Sequence, residues 1–341
     1  MKPNTETFGP KIDSLPSGHH RPTWSVMIPT FNCADLLQHT LKSVLQQDLG
    51  PNQMQIEVID DHSTKDDPEK IVNELGHGRV KFFRQPTNQG LCKNFNTCIR
   101  RSRGELVHIL HGDDLVEPGF YNRVSEAAKI HGESCSLYAT RSRMINNYGE
   151  QIAVSKNISE LNSPSNVVGD LFFENNLYTP AIVVRRTAYE KFGGFNEMLS
   201  HTADWEMWVR IIALGNGILI DEVLTTYRFT PVNDTSRLIR TGANLTECLI
   251  TADCFAKLSN EFQRNRFQGA LVQRTKNQIR NLIRNRDAEA FLNNIKVLIS
   301  NDELVSVIKF LLRLSLREKY FVARSLAKNC LGWQSKIDLK S

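Results

Sequence analysis

Pairs of adjacent carboxylates follow two hydrophobic segments, and carboxylates of this kind can hold a divalent cation. Asp113 and Asp114 follow the apolar segment LVHIL, and no Lys or Arg occurs from Gly104 to Asn122. A second pair, Asp60 and Asp61, follows IEVI. Neighbouring like charges repel each other and are costly to remove from water. A bound Mg²⁺ or Mn²⁺ that also neutralises phosphate groups would supply the missing counterion; the alternative is a turn or helix cap, where Asp is common.

Strands and helices must alternate along the first part of the chain to position these acids. Apolar residues at helical spacing, such as Leu37, Leu41 and Val44, predict a helix from Ala34. The predicted strands are WSVMIPTFN, QIEVIDD, VKFF and ELVHIL, with predicted helices between them. This alternation favours an α/β fold with a mostly parallel sheet and helices on both faces. Ligands bind at the carboxyl edge of such sheets, which is where the acids fall.

Composition and missing motifs exclude several classes of protein. With 341 residues, 40% of them hydrophobic and 23% charged, the chain resembles an ordinary soluble protein of about two domains. A net charge of +5 is too small to indicate nucleic-acid binding, and we expect no nucleic-acid partner. GxGxxG and GxxxxGK[ST] are both missing, which argues against dinucleotide and P-loop binding. Seven cysteines without a CxxC pair indicate reduced thiols, and we expect a cytoplasmic protein.

Three regions are expected along the chain. Residues 1–22 are polar and rich in Pro and Gly, which predicts a flexible N-terminal arm. A folded domain is expected over 23–240, followed by a basic helical region over 241–341. In that last region, Lys309, Arg313 and Arg317 lie at positions i, i+4 and i+8 of one predicted helix. This cationic face could contact the inner face of an anionic membrane peripherally, or it could be the solvated side of a packed helix.

Four segments in order resemble family-2 inverting glycosyltransferases of the GT-A fold. VMIPTFNCADLLQHTLKSVLQQ, IEVIDDHSTKD and NQGLCKNFNTCIRRSRGELVHILHGDDLVEPGFY resemble the nucleotide-binding half of that family. GGFNEMLSHTADWEMWVRI and TYRFTPVNDTS resemble its acceptor half. The resemblance covers roughly 24–237 and implies a nucleotide-binding half over 23–123 and an acceptor half over 124–240. The region over 241–341 would then be a C-terminal helical extension.

The resemblance also implies a set of site residues. The loop after the first strand would lie along the nucleotide, the acid after the second strand would bind the base, and a further loop and helix would flank the nucleotide. The acids after the fourth strand would meet the ribose and a metal-bridged diphosphate, and a later acid would be the catalytic base. The residues along the nucleotide would be Pro29, Thr30 and Asn32, the residue that binds the base would be Asp61, and the flanking residues would be Asn88, Gly90 and Asn96. Asp113 and Asp114 would be the acids after the fourth strand, both of them metal ligands, and Asp204 would be the catalytic base.

The implied reaction moves a sugar from a nucleotide-diphosphate donor to a hydroxyl of a glycan or lipid-linked acceptor, with inversion. Asp204 would accept the hydroxyl proton, and Mn²⁺ or Mg²⁺ would offset charge on the leaving group. An ionised Asp61 accepts hydrogen bonds, which suits the ring N–H of uracil or thymine and favours a UDP- or dTDP-linked donor. Polysaccharide or glycolipid biosynthesis is the expected setting. The alternatives are a catalytically inactive nucleotide-sugar-binding subunit and a nucleotidyltransferase, although the latter usually has a Gly-rich phosphate loop.

Several positions depart from the family's pattern. His111 stands where an acid is frequent, and Ala203 precedes the expected base in place of a common acid. Thr230 stands where many members have a metal-contacting His, and His62 replaces a usual Gly. His111 and Thr230 imply a weaker metal site and motivate the hypothesis of an inactive subunit.

Overall fold

Nine strands form one mixed sheet in the described part of the chain. They are β1 (Trp24–Thr30), β2 (Met54–Asp60), β3 (Lys81–Arg84), β4 (Leu106–Ile109), β5 (Leu115–Val116), β6 (Leu137–Ile145), β7 (Gln151–Val154), β8 (Ile182–Arg185) and β9 (Gly217–Arg228). Their order is β3-β2-β1-β4-β8-β6-β9-β5, and β7 pairs with β6. The first four strands in this order are parallel, whereas β8 is antiparallel to both of its neighbours. β9 runs parallel to β6 and antiparallel to β5.

Helices connect the parallel strands as the alternation predicts. They are α1 (Ala34–Leu45), α2 (Pro68–Gly76), α3 (Leu91–Arg101), α4 (Phe120–His131), α5 (Arg186–Phe192), α6 (Ala203–Gly215), α7 (Asp234–Thr241), α8 (Ala243–Leu258), α9 (Glu261–Arg284) and α10 (Ala288–Ser300). A short helix follows over 317–325. Leu37, Leu41 and Val44 of α1 are completely buried, which confirms the predicted apolar face. The sheet and its flanking helices agree with the expected α/β architecture.

The computed structural model describes residues 9–16, 18, 21–155, 171, 175–229, 234–258, 261–300 and 317–325. The chain divides into two compact units, Met1–Thr230 with Cys254–Ser259, and Pro231–Asp253 with Asn260–Ser341. The second unit therefore begins before the predicted boundary after residue 240. Among the described helices, none combines the length and apolar character that crossing a bilayer requires.

The strand register aligns the carboxyl ends of β1, β2 and β4. Thr30 pairs with Asp60 at the end of β1 and β2, and both β2 and β4 pair in parallel with β1. Beyond the strands, the Asp61 amide donates to the Thr30 carbonyl at 2.9 Å, and the Gly112 amide donates to the Pro29 carbonyl at 3.0 Å. The loops that follow the three strands therefore meet at one edge of the sheet.

The described part of the predicted flexible arm is packed against the first unit. Ile12 is only 1% exposed, and the Pro10 carbonyl accepts a hydrogen bond of 2.8 Å from the Gly194 amide. The buried guanidinium of Arg186 donates to the Asp13 carbonyl at 3.2 Å. The expectation of a loose arm is therefore wrong over 9–16. Polar composition concealed one apolar anchor and a set of backbone hydrogen bonds.

The second unit has a small core of its own. Ile279, Leu282 and Phe291 are buried where α9 and α10 pack together. The amide of Asn294 donates to the Ile239 carbonyl at 2.8 Å and so joins α10 to α7. Of the three residues in the predicted cationic face, Lys309 and Arg313 lie outside the described residues, and Arg317 is exposed at the start of the short helix over 317–325.

Candidate functional site

The Asp113–Asp114 turn is held in place by residues from distant parts of the chain. Thr40 donates its hydroxyl to the Asp114 carbonyl at 2.8 Å. The backbone amide of Arg228, at the end of β9, donates to Asp114 Oδ1 at 2.8 Å, and Arg228 Nε donates to the Asp113 carbonyl at 3.2 Å. Asp114 is 1% exposed, whereas Asp113 is half-buried. Helix α1 and strand β9 therefore fix the turn from both sides.

His111, Asp113 and Asp114 form a cluster with suitable chemistry for a divalent cation. One ligand atom from each lies within 4.8 Å of the others. Asp114 Oδ2 and His111 Nε2 are buried and have no hydrogen-bond partner among the residues that the structure describes. Unsatisfied buried polar atoms are rare in proteins and call for an explanation. Carboxylate and imidazole groups are ordinary ligands of Mn²⁺, so the cluster fits such a cation.

Electrostatics of this cluster also favour a bound cation. Burial raises the pKa of Asp114 well above its usual range; the neighbouring Asp113 charge adds to this effect, and Arg228 opposes it. Burial lowers the pKa of His111 below its ordinary value, although Asp113 opposes this. The imidazole is therefore mainly neutral, which is the form that binds metals. Its ring stacks on Phe95 with 5.2 Å between centroids, which fixes its orientation.

Glycine is required between His111 and Asp113 because the end of β1 approaches closely. A Cβ atom at Gly112 would lie 2.9 Å from Thr30 Oγ1 and 3.2 Å from Cys33 Sγ. Pro29 and Thr30 are both buried, and Thr30 is only 3% exposed. In the structure these two residues support the acidic turn, whereas the sequence predicts that they lie along the nucleotide.

Asp61 lies at the same edge and is bound to the loop before α3. Its Oδ1 and Oδ2 atoms accept hydrogen bonds of 2.8 Å from the amides of Gln89 and Gly90. Asn88 donates its side-chain amide to the Asp61 carbonyl at 3.1 Å. Burial raises the pKa of Asp61, and the two backbone hydrogen bonds oppose this increase. Each carboxylate oxygen keeps a second lone pair with which it can accept a hydrogen bond from a ligand.

Asp60, in contrast, is a structural acid. Its carboxylate accepts hydrogen bonds from Arg84 Nε at 2.7 Å and from the Ser63 amide at 3.1 Å. Asn32 has a similar structural contribution, because its Oδ1 accepts from the amides of Thr64 and Lys65. These bonds connect the loop after β1 to the loop after β2.

Asn96, on α3, is held by hydrogen bonds to another segment of the protein. Its side chain is completely buried, and its Nδ2 donates to the Phe195 carbonyl and to Glu197 Oε1, each at 3.0 Å. Its Oδ1 accepts from the Phe195 amide at 2.7 Å. The amide group is thus satisfied by the loop after α5. This side chain therefore fastens one protein segment to another, and its place beside the nucleotide stays a prediction.

Asp204 lies in the first turn of α6, as the sequence predicts. Its Oδ1 accepts from the Trp205 amide at 2.7 Å, and its Oδ2 accepts from Asn175 Nδ2 at 3.1 Å. Burial raises the pKa of Asp204 to about 6, although these hydrogen bonds and one from the Thr179 side chain oppose the effect. Such a carboxylate is ionised at neutral pH and is still a better proton acceptor than an ordinary Asp.

Tyr227 connects Asp204 to the acidic turn. Burial and the negative charges of Asp114, Asp113 and Asp204 all raise the pKa of its phenol. The Tyr227 ring lies 5.1 Å between centroids from that of Tyr178, the neighbour of Thr179, whose side chain hydrogen-bonds to Asp204. On its other side, Tyr227 directly precedes Arg228, which donates to both Asp113 and Asp114. The structure therefore brings Asp204 and the Asp113–Asp114 turn to one site, although they are far apart in sequence.

Sequence reasoning missed three contributors to this site. Arg228 and Tyr227 were visible as a Tyr-Arg pair, but nothing in the sequence connects them to acids more than a hundred positions earlier. Phe31 directly follows Thr30, whose carbonyl accepts a hydrogen bond from the Asp61 amide, and 47% of its surface is exposed. The signal in the sequence for Phe31 was an aromatic residue in the loop between a buried strand and Asn32.

The departures from the family's pattern have local explanations where the structure describes them. His62 has a φ of 65°, in the left-handed region where a Gly is the least strained residue. Its Nδ1 lies 3.1 Å from the Gln85 carbonyl, and this hydrogen bond offsets part of the strain. Ala203 is 1% exposed, so that an acid there would be buried. Thr230 lies outside the described residues.

Acids follow β2 and β4 at the carboxyl edge of the parallel strands, and a further buried carboxylate lies at the start of a separate helix. This arrangement fits a glycosyltransferase of the GT-A fold. The comparisons agree. Residues 25–193 match the family model for glycosyl transferase family 2, and the chain belongs to that family.

Relatives and solved structures extend this result. The chain is 26% identical over 57% of its length to chondroitin synthase from Escherichia coli, of which the match spans only 27%. Residues 1–349 of S. aureus TarS in complex with UDP-GlcNAc align with a TM-score of 0.57 and 16% identity, covering 90% of this chain and 80% of that one. The mannosyltransferase PcManGT from Pyrobaculum calidifontis in complex with GDP-Man and Mn²⁺ aligns with a TM-score of 0.54 and 15% identity, covering 92% and 87%. At these identities the two structural likenesses show the fold alone.

Proposed function

We propose that this glycosyltransferase moves a sugar from a UDP- or dTDP-linked donor to a hydroxyl of a glycan or lipid-linked acceptor, with inversion. The observation that carries the proposal is the chain of contacts from Asp204 through the Tyr178–Tyr227 ring pair to the Asp113–Asp114 turn. A donor diphosphate needs the first group, and an attacking hydroxyl needs the second. Polysaccharide or glycolipid biosynthesis is the proposed setting, and the similarity to chondroitin synthase from Escherichia coli supports it.

Asp204 acts as the general base in this proposal. Inversion requires one displacement in which the acceptor hydroxyl attacks the anomeric carbon opposite the departing diphosphate. Asp204 accepts the hydroxyl proton as the new bond forms, and its pKa of about 6 keeps it ionised and basic at neutral pH. Asn175 and Thr179 hold the carboxylate in a fixed orientation, and fixed orientation lowers the entropic cost of the reaction.

The acidic turn holds the proposed metal. Asp113 and Asp114 are the proposed ligands of Mn²⁺ or Mg²⁺, and His111 offers a third donor atom. When bound, the cation neutralises negative charge on the diphosphate. Arg228 keeps Asp114 in place for this task through its backbone amide.

Asp61 and Phe31 recognise the base in this proposal. The Asp61 carboxylate accepts two backbone hydrogen bonds, and its remaining lone pairs can accept the ring N–H of uracil or thymine. The partly exposed ring of Phe31 offers a flat apolar surface for the same base. Guanine also offers a ring N–H, so that UDP, dTDP and GDP must be compared directly.

Thermal unfolding with nucleotides tests the donor and the metal together. We expect UDP or dTDP to stabilise the protein when Mn²⁺ is present, by about 2.7 kcal/mol at a hundredfold excess over Kd. Asp114→Asn should abolish the dependence on Mn²⁺. Asp35→Asn, an exposed acid on α1, is the matched control and should behave as the wild type. Stabilisation by NAD with no response to any of the three nucleoside diphosphates would contradict the proposal.

Turnover tests the base. Asp204→Asn should bind UDP as tightly as the wild type and lose both sugar transfer and slow donor hydrolysis. Nuclear magnetic resonance of the product should show the inverted anomer. A wild-type protein that binds nucleotide but never consumes a donor sugar would instead support the inactive-subunit alternative.

A further inference from the structure

Two tyrosines between the base and the acidic turn have no assigned task. The rings of Tyr178 and Tyr227 lie 5.1 Å apart between centroids, with 35° between their planes. Both side chains are half-buried. In contrast, the Phe195–Trp208 and Trp24–Tyr121 pairs are completely buried in the core. The Tyr178–Tyr227 pair is therefore partly exposed to solvent, unlike these two aromatic pairs of the core.

Each ring is attached to one side of the reaction site. Tyr178 directly precedes Thr179, whose side chain hydrogen-bonds to Asp204. Tyr227 directly precedes Arg228, which donates to both Asp113 and Asp114. The pair thus spans from the general base to the acids that hold the diphosphate. The donor sugar and the acceptor hydroxyl that attacks it must both lie in this span, with the hydroxyl at the Asp204 end.

The two rings are held by rigid parts of the fold. Pro180, in the turn Thr179–Ala181, accepts a hydrogen bond of 2.8 Å from the buried side chain of His108 in β4. Tyr227 lies in β9, and the residue after it, Arg228, pairs with Ile145 at the end of β6. Aromatic rings on fixed elements bind a flat ligand with little loss of conformational entropy.

We propose that Tyr178 and Tyr227 form an aromatic platform that binds the terminal pyranose ring of the acceptor. The inference rests on the proposed function and names the substrate class of the same site. The apolar C–H face of a pyranose suits an aromatic surface, while its hydroxyls suit the carboxylates and the Asn175 amide beside it. A flexible polyol has no such face, so the platform selects a sugar over a polyol.

Acceptor dependence separates this platform from a donor contact. Release of UDP from UDP-glucose, UDP-galactose and UDP-GlcNAc is measured with p-nitrophenyl β-pyranosides, ribitol or glycerol as acceptors. We expect release to rise and saturate with at least one pyranoside. Tyr178→Leu should raise the half-saturating pyranoside concentration by about tenfold or more and leave both the Kd of UDP and the half-saturating concentration of the UDP-sugar within about twofold. Tyr178→Phe, which keeps the ring, should stay near the wild type, and Tyr320→Leu controls for loss of an exposed tyrosine.

A second measurement avoids any dependence on the folding of the Leu variant. In wild-type protein with ¹³C-labelled tyrosine, the ring signals that are missing from Tyr178→Phe and Tyr227→Phe should shift when the pyranoside is added.

Three results would overturn the platform. The tyrosine ring signals could stay unshifted when the pyranoside is added, or Tyr178→Leu could leave the half-saturating pyranoside concentration unchanged. The third is a wild-type enzyme that binds UDP but whose UDP release rises with the polyols, or with none of the acceptors. Failure of the proposed function looks different, because the wild type would then bind neither UDP nor dTDP.

Discussion

Acidification should stop catalysis through Asp204 at a pH where an ordinary Asp would still be ionised. The pKa of this carboxyl is raised to about 6, chiefly by burial. A general base works only when ionised, and the ionised fraction is about 0.9 at pH 7 and about 0.1 at pH 5 for a pKa of about 6. We therefore expect kcat to fall about tenfold between these pH values.

Asn175 provides a way to shift this limit. Its hydrogen bond favours the ionised carboxylate and lowers the pKa of Asp204. Asn175→Ala should therefore raise that pKa and move the acidic limb of the profile to higher pH. Asn277→Ala removes an exposed side-chain hydrogen bond in α9 and should leave the limb in place.

The assay is kcat against pH at saturating donor and Mn²⁺, with the Kd of UDP measured at each pH. Saturation separates the base from the acids of the donor site, because loss of donor binding then no longer limits the rate. An acidic limb near the ordinary pKa of Asp, or a limb that Asn175→Ala leaves in place, would show that Asp204 is not the base.

Three other substitutions test the structure. Asp204→Asn should raise the free energy of unfolding at pH 8 by up to about 3 kcal/mol and not at pH 3, because the penalty of burying this charge is present only above the carboxyl's pKa in the unfolded chain; urea titrations at both pH values measure it. Gly112→Ala should cost about 1–3 kcal/mol of unfolding free energy through its clash with Thr30 and weaken UDP binding, whereas Gly269→Ala, with open space around it, should be neutral or stabilising in thermal melts. Asn96→Ala should cost about 1–3 kcal/mol in urea titrations and leave the Kd of UDP unchanged; a weakened Kd would support its predicted place beside the nucleotide.

The local part of the fold followed from the sequence. Apolar spacing located α1 through Leu37 and Leu41, and the two acidic pairs marked strand ends. Parallel pairing then brought Asp61 and Asp114 to one edge, because consecutive strands of an α/β sheet present their carboxyl ends together. These inferences depend on neighbours in sequence and on one general rule of topology.

The remaining features depend on contacts between distant segments, which no local pattern encodes. The amide of Arg228 reaches Asp114 because β9 pairs with β5. Asn96 looked like a site residue by position, but the loop at Phe195 satisfies its amide. The arm around Ile12 looked mobile by composition, although one apolar side chain and a few backbone groups suffice to dock it.

The docked N-terminal segment limits how far the chain can be trimmed. A protein that began at residue 25, where the match to the family model starts, would lack Asp13. The buried guanidinium of Arg186 would then lose the Asp13 carbonyl as a hydrogen-bond acceptor. Removal of Ile12 would also leave the Gly193–Gly194 turn without its cover, beside the loop that Asn96 secures. Expressed proteins that begin before Gly9 would keep these contacts of the N-terminal segment.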